Sequence, residues 1–268
     1  MVSFPPCKIN LGLRILRKRT DGYHDIATCF YPVPWMDILE IIPALTLEFS
    51  STGLPIPGTP ENNLCLTAYA LLRERFPISP VKIHLHKIIP MGAGLGGGSA
   101  DAAHTLLLLN DIFDLRLSVE ELAAFAAQVG SDCSFFLYNK PMLGTGRGEI
   151  LSATPVDLAG KFIVIVKPDI HVSTAAAYAG VVPNESNSLP EDVLLKPLAE
   201  WKSTLLNDFE SSVFLKYPVI KNIKEKLYER GAIYASMSGS GSSVFGIFNQ
   251  ATDLRDKFSQ AIYWSGWL

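Results

Sequence analysis

Polar and apolar residues recur along this chain at spacings that assign most of its elements. Residues 7–16 (CKINLGLRIL) and 81–87 (VKIHLHK) alternate with period two, the spacing of a strand with two unlike faces. Residues 25–30 and 37–43 read as further strands, 46–51 as a shorter candidate, and 161–167 (KFIVIVK) is the most continuous apolar strand. Pro32 and Pro34 separate the candidates at 25–30 and 37–43, and Asp21-Gly22 marks a turn after the first strand. Period 3.6 appears at 63–76, behind Asn62 and Asn63 as candidate caps, and at 119–129, which a Ser118/Glu121 capping box opens and Gly130 ends. Residues 143–151 (LGTGRGEIL) read as a tight hairpin.

Between strand 81–87 and the capping box lies the least ordinary stretch, residues 90–110 (PMGAGLGGGSADAAHTLLLLN), with five glycines between Gly92 and Gly98. The alanine- and leucine-rich run behind them predicts a helix, with Ser99 at its N-cap and Asp101 in its first turn. Clustered glycines cost backbone entropy of about 1 kcal/mol each relative to alanine. A strand, a glycine loop and a helix N-terminus together make an anion cradle, because unpaired N–H groups and the helix dipole converge there.

The second half reads as loop and helix at 173–180, a polar linker at 184–188, helices at 191–206 and 219–230, and strands at 232–237 and 244–248 around a second glycine patch, SGSGS, at 238–242. Pro155 lies in a break that predicts a domain boundary, giving domains of 1–155 and 156–268.

Composition narrows the function. A net charge of −3 supplies no basic surface for nucleic acid. Cys7, Cys29, Cys65 and Cys133 are widely spaced, which fits free thiols in a reducing compartment better than disulfides or a zinc site. No apolar run is long enough for a membrane span and no signal-peptide pattern opens the chain, so a cytoplasmic location is expected.

The glycine cluster satisfies Gly-x-Gly-x-x-Gly, but the residues about 20 positions on are Glu120 and Glu121, at a helix start rather than a strand end, so the dinucleotide fingerprint fails. A Walker A loop fails too, since Gly98-Ser99 lacks the lysine, and the protein-kinase HRD and DFG motifs are absent. By residue type alone, Asp132 in GSDCSFF reads equally as a turn-capping carboxylate or as a base for an alcohol proton. Lys8 and Asn10 share one strand face, where a lysine reads first as a surface residue.

PMGAGLGGGSADA resembles the central motif of the GHMP kinases; CKINLGL resembles their first motif and MSGSGSSVFGIF their third, in the same order. CKINL, DGYH, GSDCSFF, GTGRGE and LLNDFE resemble the branch acting on a cytidine-diphosphate-linked methylerythritol. The resemblance implies an α+β fold, with an N-terminal domain like ribosomal protein S5 domain 2, a ferredoxin-like C-terminal domain and the active site in the cleft between them. It implies transfer of a phosphoryl group from ATP, with Mg²⁺, to the 2-hydroxyl of that small-molecule substrate.

The same resemblance implies that Asp132 is the base and Lys8 its partner. Pro90, Met91, Gly92, Ala93, Gly94, Leu95, Gly96, Gly97, Gly98, Ser99 and Ala100 would wrap the triphosphate, with Ser99 touching Mg²⁺ and Asn63 and Lys87 at the adenosine end. Asn10 would hydrogen-bond the methylerythritol portion or the diphosphate, Phe30 would line the methylerythritol site, and Thr174 and Tyr178 would complete the pocket, with Tyr23 and Tyr178 sandwiching cytosine and His24 reading its edge. Gly239, Ser240 and Gly241 would support the glycine loop and the diphosphate. Neither a nucleic-acid nor a membrane partner is expected, and the chain is expected to be a monomer or weak homodimer. Two other readings stay open: a homoserine or mevalonate type of GHMP kinase, and a non-catalytic nucleotide-binding regulator.

Overall fold

The computed structural model describes residues 1–185 and 188–268. In chain order the first elements are β1 (Val2–Ser3), β2 (Pro6–Lys18), β3 (His24–Met36), β4 (Ile38–Pro43), β5 (Glu48–Gly53), α1 (Leu64–Arg75), β6 (Val81–Lys87), α2 (Gly97–Ile112), α3 (Val119–Val129) and α4 (Phe135–Tyr138). There follow β7 (Met142–Thr145), β8 (Ile150–Ala153), β9 (Phe162–Lys167), α5 (Thr174–Ala179), α6 (Pro190–Leu194), α7 (Phe209–Lys216), α8 (Pro218–Glu229), β10 (Tyr234–Met237), β11 (Val244–Phe248) and β12 (Ile262–Trp267).

These elements form two compact units. The first comprises Met1–Cys7, Trp35–Met91 and Gly96–Lys140. Its sheet has the order β1-β4-β6-β5, antiparallel except for β5 beside β6. Burial alternates along β4 and β6, so Leu39, Ile41, Ile83 and Leu85 turn inward. Helices α1, α2 and α3 pack on one another, and α2 lies on β4. Ala68, Leu72, Ala103, Leu106 and Leu122 complete that core.

The second unit comprises Lys8–Pro34, Gly92–Leu95 and Pro141–Leu268. It holds the antiparallel sheet β10-β11-β9-β12 and most of the sheet β2-β3-β7-β8. Helix α8 packs on β10 and β11. Ile220, Ile223 and Leu227 of that helix join Val164, Val166, Ala235 and Val244 in an apolar cluster.

Several predicted elements differ. Strand β3 runs through Pro32 and Pro34 instead of breaking there; both lie beyond Thr28–Phe30, the stretch paired with β7, so their missing N–H costs that ladder nothing. The single helix expected at 191–206 is α6 and a 3₁₀ turn, Leu198–Ser203, because Pro197 cannot continue a helix. Helix α7 and strand β12 have no counterpart in the pattern reading. The linker expected at 184–188 includes Ser186 and Asn187, which lie outside the described residues. Among the described residues no helix is long and apolar enough to cross a membrane.

Candidate active site

Helix α2 begins three residues earlier than expected. Gly96, not Ser99, is its N-cap, in the left-handed region with φ 69° and ψ 13°. A residue with a side chain enters that region at a cost, so glycine lets the chain turn into the helix here. The first intrahelical bond runs from the Ala100 N–H to the Gly96 carbonyl at 3.0 Å. The N–H groups of Gly97, Gly98 and Ser99 therefore lack a helical acceptor, as a helix start dictates. Ser99 sits in the first turn, and its hydroxyl hydrogen-bonds the Cys133 thiol, whose pKa burial pushes up to about 12.

Asp101 is not a first-turn dipole partner but a buried member of an ion cluster. Lys87 Nζ donates to Asp37 Oδ2 at 2.5 Å and to Asp101 Oδ2 at 2.7 Å, with all three side chains buried. Asp37 Oδ1 accepts from the Ile88 and Ile89 N–H groups at 2.5 and 2.8 Å, which fixes the run entering the glycine loop. Among the described residues Asp101 Oδ1 has no hydrogen-bond partner. Burial, reinforced by Asp37 alongside, pushes Asp101 up to about 7 against the pull of Lys87. Burial opposes the Lys87 charge, but the two carboxylates outweigh it and hold its pKa above the ordinary lysine value. Lys87, expected at the adenosine end, is thus spent on two carboxylates, because it is the last inward-facing position of β6.

Beside this cluster, within the same unit, is a cavity of about 120 Å³. That is roughly four times the share of one liquid water, enough for a small heterocycle. Phe49, Ile56, Pro57, Leu64 and Met91 give it apolar walls, with Asn63 and Gly98 at its edge. Asn63 also caps α1, its Oδ1 accepting the Cys65 N–H at 2.9 Å.

The crown of the glycine loop, Gly92–Leu95, lies in the second unit, held by the turn after β10. The Ser238 hydroxyl donates to the Gly94 carbonyl at 2.7 Å, and the Ser243 N–H donates to the Ala93 carbonyl at 3.1 Å. Gly94 has φ +76°, and a Cβ there would collide with the Ser238 carbonyl, so no other residue fits without moving the turn. On the other side, the Lys8 N–H donates to the Leu95 carbonyl at 2.9 Å. Lys8 is buried rather than a surface residue. Its ammonium donates to Asn10 Oδ1 at 2.6 Å and stands 5.2 Å from the centre of the Phe30 ring. Asn10 Nδ2 donates to the Thr28 hydroxyl at 3.0 Å, so a polar chain crosses from β2 to β3.

The expected base-binding residues cluster in part. The His24 and Tyr178 rings stack with centroids 4.7 Å apart, and Phe209 meets Tyr178 edge-on at 4.8 Å. Burial, then Lys18 nearby, lowers the His24 pKa. Tyr23 is exposed, with the Arg147 guanidinium 5.0 Å from its ring centre. The Thr174 hydroxyl is 3.4 Å from that of Ser240. Asp132 is half-buried in the turn between α3 and α4.

Two family models match this chain: GHMP kinases N terminal domain over residues 63–140, and GHMP kinases C terminal over residues 193–263. A Cytophaga hutchinsonii protein named 4-diphosphocytidyl-2-C-methyl-D-erythritol kinase is 58% identical over 250 residues, 93% of each chain. The chain belongs to the 4-diphosphocytidyl-2-C-methyl-D-erythritol kinase family, within the GHMP kinases. Its fold is the two-domain α+β fold of the GHMP kinases. A crystal structure of 4-(cytidine 5'-diphospho)-2C-methyl-D-erythritol kinase superposes with a TM-score of 0.83 at 31% identity, covering 99% of this chain and 98% of that one. A mevalonate kinase superposes with a TM-score of 0.75 at 14% identity, covering 99% and 98%, a likeness of fold alone.

Within this kinase family fold, four supporting residues escaped the pattern reading: Asp37, Asn207, Asp208 and Ser238. Asp37 and Lys87 are 50 positions apart, and nothing local marks Asp37 as a buried anchor. Ser238 differs from the neighbouring serines only in where its hydroxyl points. Asn207 and Asp208 lie in the LLNDFE motif, which signals a family but not a contact.

Proposed function

We propose that the protein transfers the γ-phosphoryl group of ATP to the 2-hydroxyl of 4-diphosphocytidyl-2-C-methyl-D-erythritol, giving the 2-phosphate and ADP. The observation that carries this reading is the Lys8 main-chain bond to the Leu95 carbonyl, which ties a buried lysine to the crown of an anion-binding loop. Phosphoryl transfer depends on positioning and charge stabilisation more than on covalent chemistry. The donors of Gly97, Gly98 and Ser99 face the phosphates, and the 120 Å³ cavity beside Asn63 takes adenine.

Asp132 accepts the proton of the 2-hydroxyl as its oxygen bonds to the γ-phosphorus; the bond from that phosphorus to the β–γ bridging oxygen breaks, and ADP leaves. Lys8 supplies positive charge at the acceptor, and Asn10 holds the Lys8 ammonium in place. Phe30 walls the methylerythritol portion, with Thr174, Gly239, Ser240 and Gly241 toward the diphosphate. Tyr23 and Tyr178 take the faces of cytosine and His24 its edge; insertion of the base displaces His24 from the Tyr178 ring it stacks on in this structure. Mg²⁺ would be held mainly by ATP and its waters, with the Ser99 hydroxyl as a protein ligand, since a hydroxyl oxygen suits a hard cation. When bound it neutralises charge on the phosphates.

The family domains are read as 1–155 and 156–268; the two matched models, 63–140 and 193–263, fall on either side of that boundary. The test is ADP release with ATP and, in turn, the cytidylyl substrate, free methylerythritol, homoserine and mevalonate. Turnover with the cytidylyl substrate alone is expected, and turnover of homoserine or mevalonate instead would overturn the assignment.

A further inference from the structure

Asn207 lies at the centre of a buried polar junction that the proposed mechanism does not use. It is 3% exposed, and all its side-chain hydrogen-bonding groups toward the fold are used. Nδ2 donates to the Met237 and Gly239 carbonyls, both at 2.8 Å, and Oδ1 accepts the Phe209 N–H at 3.0 Å. Two carbonyls can only accept and an N–H can only donate, so the amide has one workable orientation. The two carbonyls bracket Ser238, which sets where the Ser238 hydroxyl points. That hydroxyl accepts the Asn10 N–H at 3.3 Å and donates to the Gly94 carbonyl at 2.7 Å.

The main chain around Asn207 is tied to the strand that carries Lys8 and Asn10. The Leu13 N–H donates to the Leu206 carbonyl and the Asp208 N–H to the Leu13 carbonyl, both at 2.9 Å. Asp208 adds two bonds, accepting the Ile15 N–H at 2.8 Å and Arg14 at 2.7 Å. Glu210 fixes the far flank of the turn, accepting the Met237 N–H at 2.8 Å while pairing with Lys224 at 2.6 Å. The contacts close a ring: from β2 to Asn207, to the turn after β10, to Ser238, and back to both β2 and Gly94.

We infer that Asn207 is a positioning residue for the transfer: through Ser238 it sets the crown of the phosphate loop and the Lys8–Asn10 strand in one register. The inference rests on the ATP-dependent reading above. A purely structural Asn207 would govern how much enzyme folds. A positioning Asn207 governs how well folded enzyme holds both ligands.

Asn207→Asp is nearly isosteric. It keeps the acceptor for Phe209 but sets a carboxylate oxygen against two carbonyls. Calorimetric ATP affinity is measured in the folded variant without acceptor, followed by KM for ATP and for the cytidylyl substrate. The expected result is at least a tenfold loss of ATP affinity, with both KM values raised. Wild-type affinity and KM values, with only a lower fraction of active enzyme, would overturn the inference. Ser238→Ala removes the relay hydroxyl while leaving the Asn207 bonds possible. It is expected to weaken ATP in the same way, with the double variant no worse than N207D, as coupled sites require. Additive losses contradict the relay, and if N207D does not fold, wild-type ATP affinity in S238A overturns it alone. Calorimetry keeps this test separate from the acceptor assignment: a wild type that binds ATP but ignores the cytidylyl substrate refutes the proposed acceptor, not the positioning role.

Discussion

Replacing Asp101 by Asn tests whether the ion cluster under the glycine loop behaves as its geometry dictates. Two carboxylates share one ammonium there, and one carboxylate oxygen, Asp101 Oδ1, has no partner among the described residues. The native Asp101 titrates at about 7, against an ordinary value of 3.8. A carboxyl raised on folding stabilises fully below its unfolded pKa, and that stability is lost as pH rises through the folded pKa. From pH 5 to pH 8, across the folded pKa, the loss approaches two pH units at ~1.4 kcal/mol each, or about 3 kcal/mol. Asn carries no such charge and still offers Lys87 an oxygen, though its amide leaves a buried donor unpaired, a pH-independent cost of about 1–3 kcal/mol. His104 works in the opposite sense: burial lowers it to about 4 from 6.5, so its neutral native form loses stability as pH falls from 6.5 toward 4. Both proteins share that contribution, so it cancels in their difference. Urea unfolding at pH 5, 6, 7 and 8 is the assay. D101N is expected to be less stable than wild type at pH 5 and to gain about 3 kcal/mol relative to it by pH 8. A difference that stays flat with pH, or grows against D101N as pH rises, would refute the reasoning.

Two further substitutions probe the site. Gly94→Ala places a methyl against the Ser238 carbonyl at φ +76°; left-handed strain alone costs about 1–2 kcal/mol. Calorimetry should show ATP binding at least tenfold weaker, and unchanged affinity would mean the crown is not part of the phosphate site. Tyr178→Ala removes the ring stacked by His24 at 4.7 Å. With base stacking at about 1–3 kcal/mol, KM for the cytidylyl substrate should rise roughly 5- to 150-fold while KM for ATP holds; equal rises in both would contradict a cytosine face.

The glycine loop and the helix behind it were legible because their constraint is local. Glycines at alternate positions before a helix have few other uses, and the Ser118/Glu121 capping box, observed with both of its bonds, needs only three residues of spacing. The hairpin of β7 and β8 and the strand β9 followed from turn chemistry and from an uninterrupted apolar run. What stayed hidden depends on distant partners. Lys87 reads as an adenosine-end residue because its partners Asp37 and Asp101 lie 50 and 14 positions away. Ser99 looked like a cap because the alternative, a glycine in the left-handed region, has no side-chain signature. Lys8 looked exposed because its neighbours Asn10, Thr28 and Phe30 assemble only when β2 meets β3. In each case local pattern identified the element correctly and tertiary pairing decided what its polar residue does.

The proposed base, Asp132, takes the proton of an alcohol on a cytidylyl substrate. Its most direct test is single-turnover transfer from γ-labelled ATP by wild type and Asp132→Asn, with ATP affinity measured alongside. Label on the 2-hydroxyl of 4-diphosphocytidyl-2-C-methyl-D-erythritol is expected in the wild type. In D132N a loss of at least a hundredfold in rate, typical of removing a general base, is expected with ATP still bound. Transfer by D132N at the wild-type rate, or label on any other group, would contradict it.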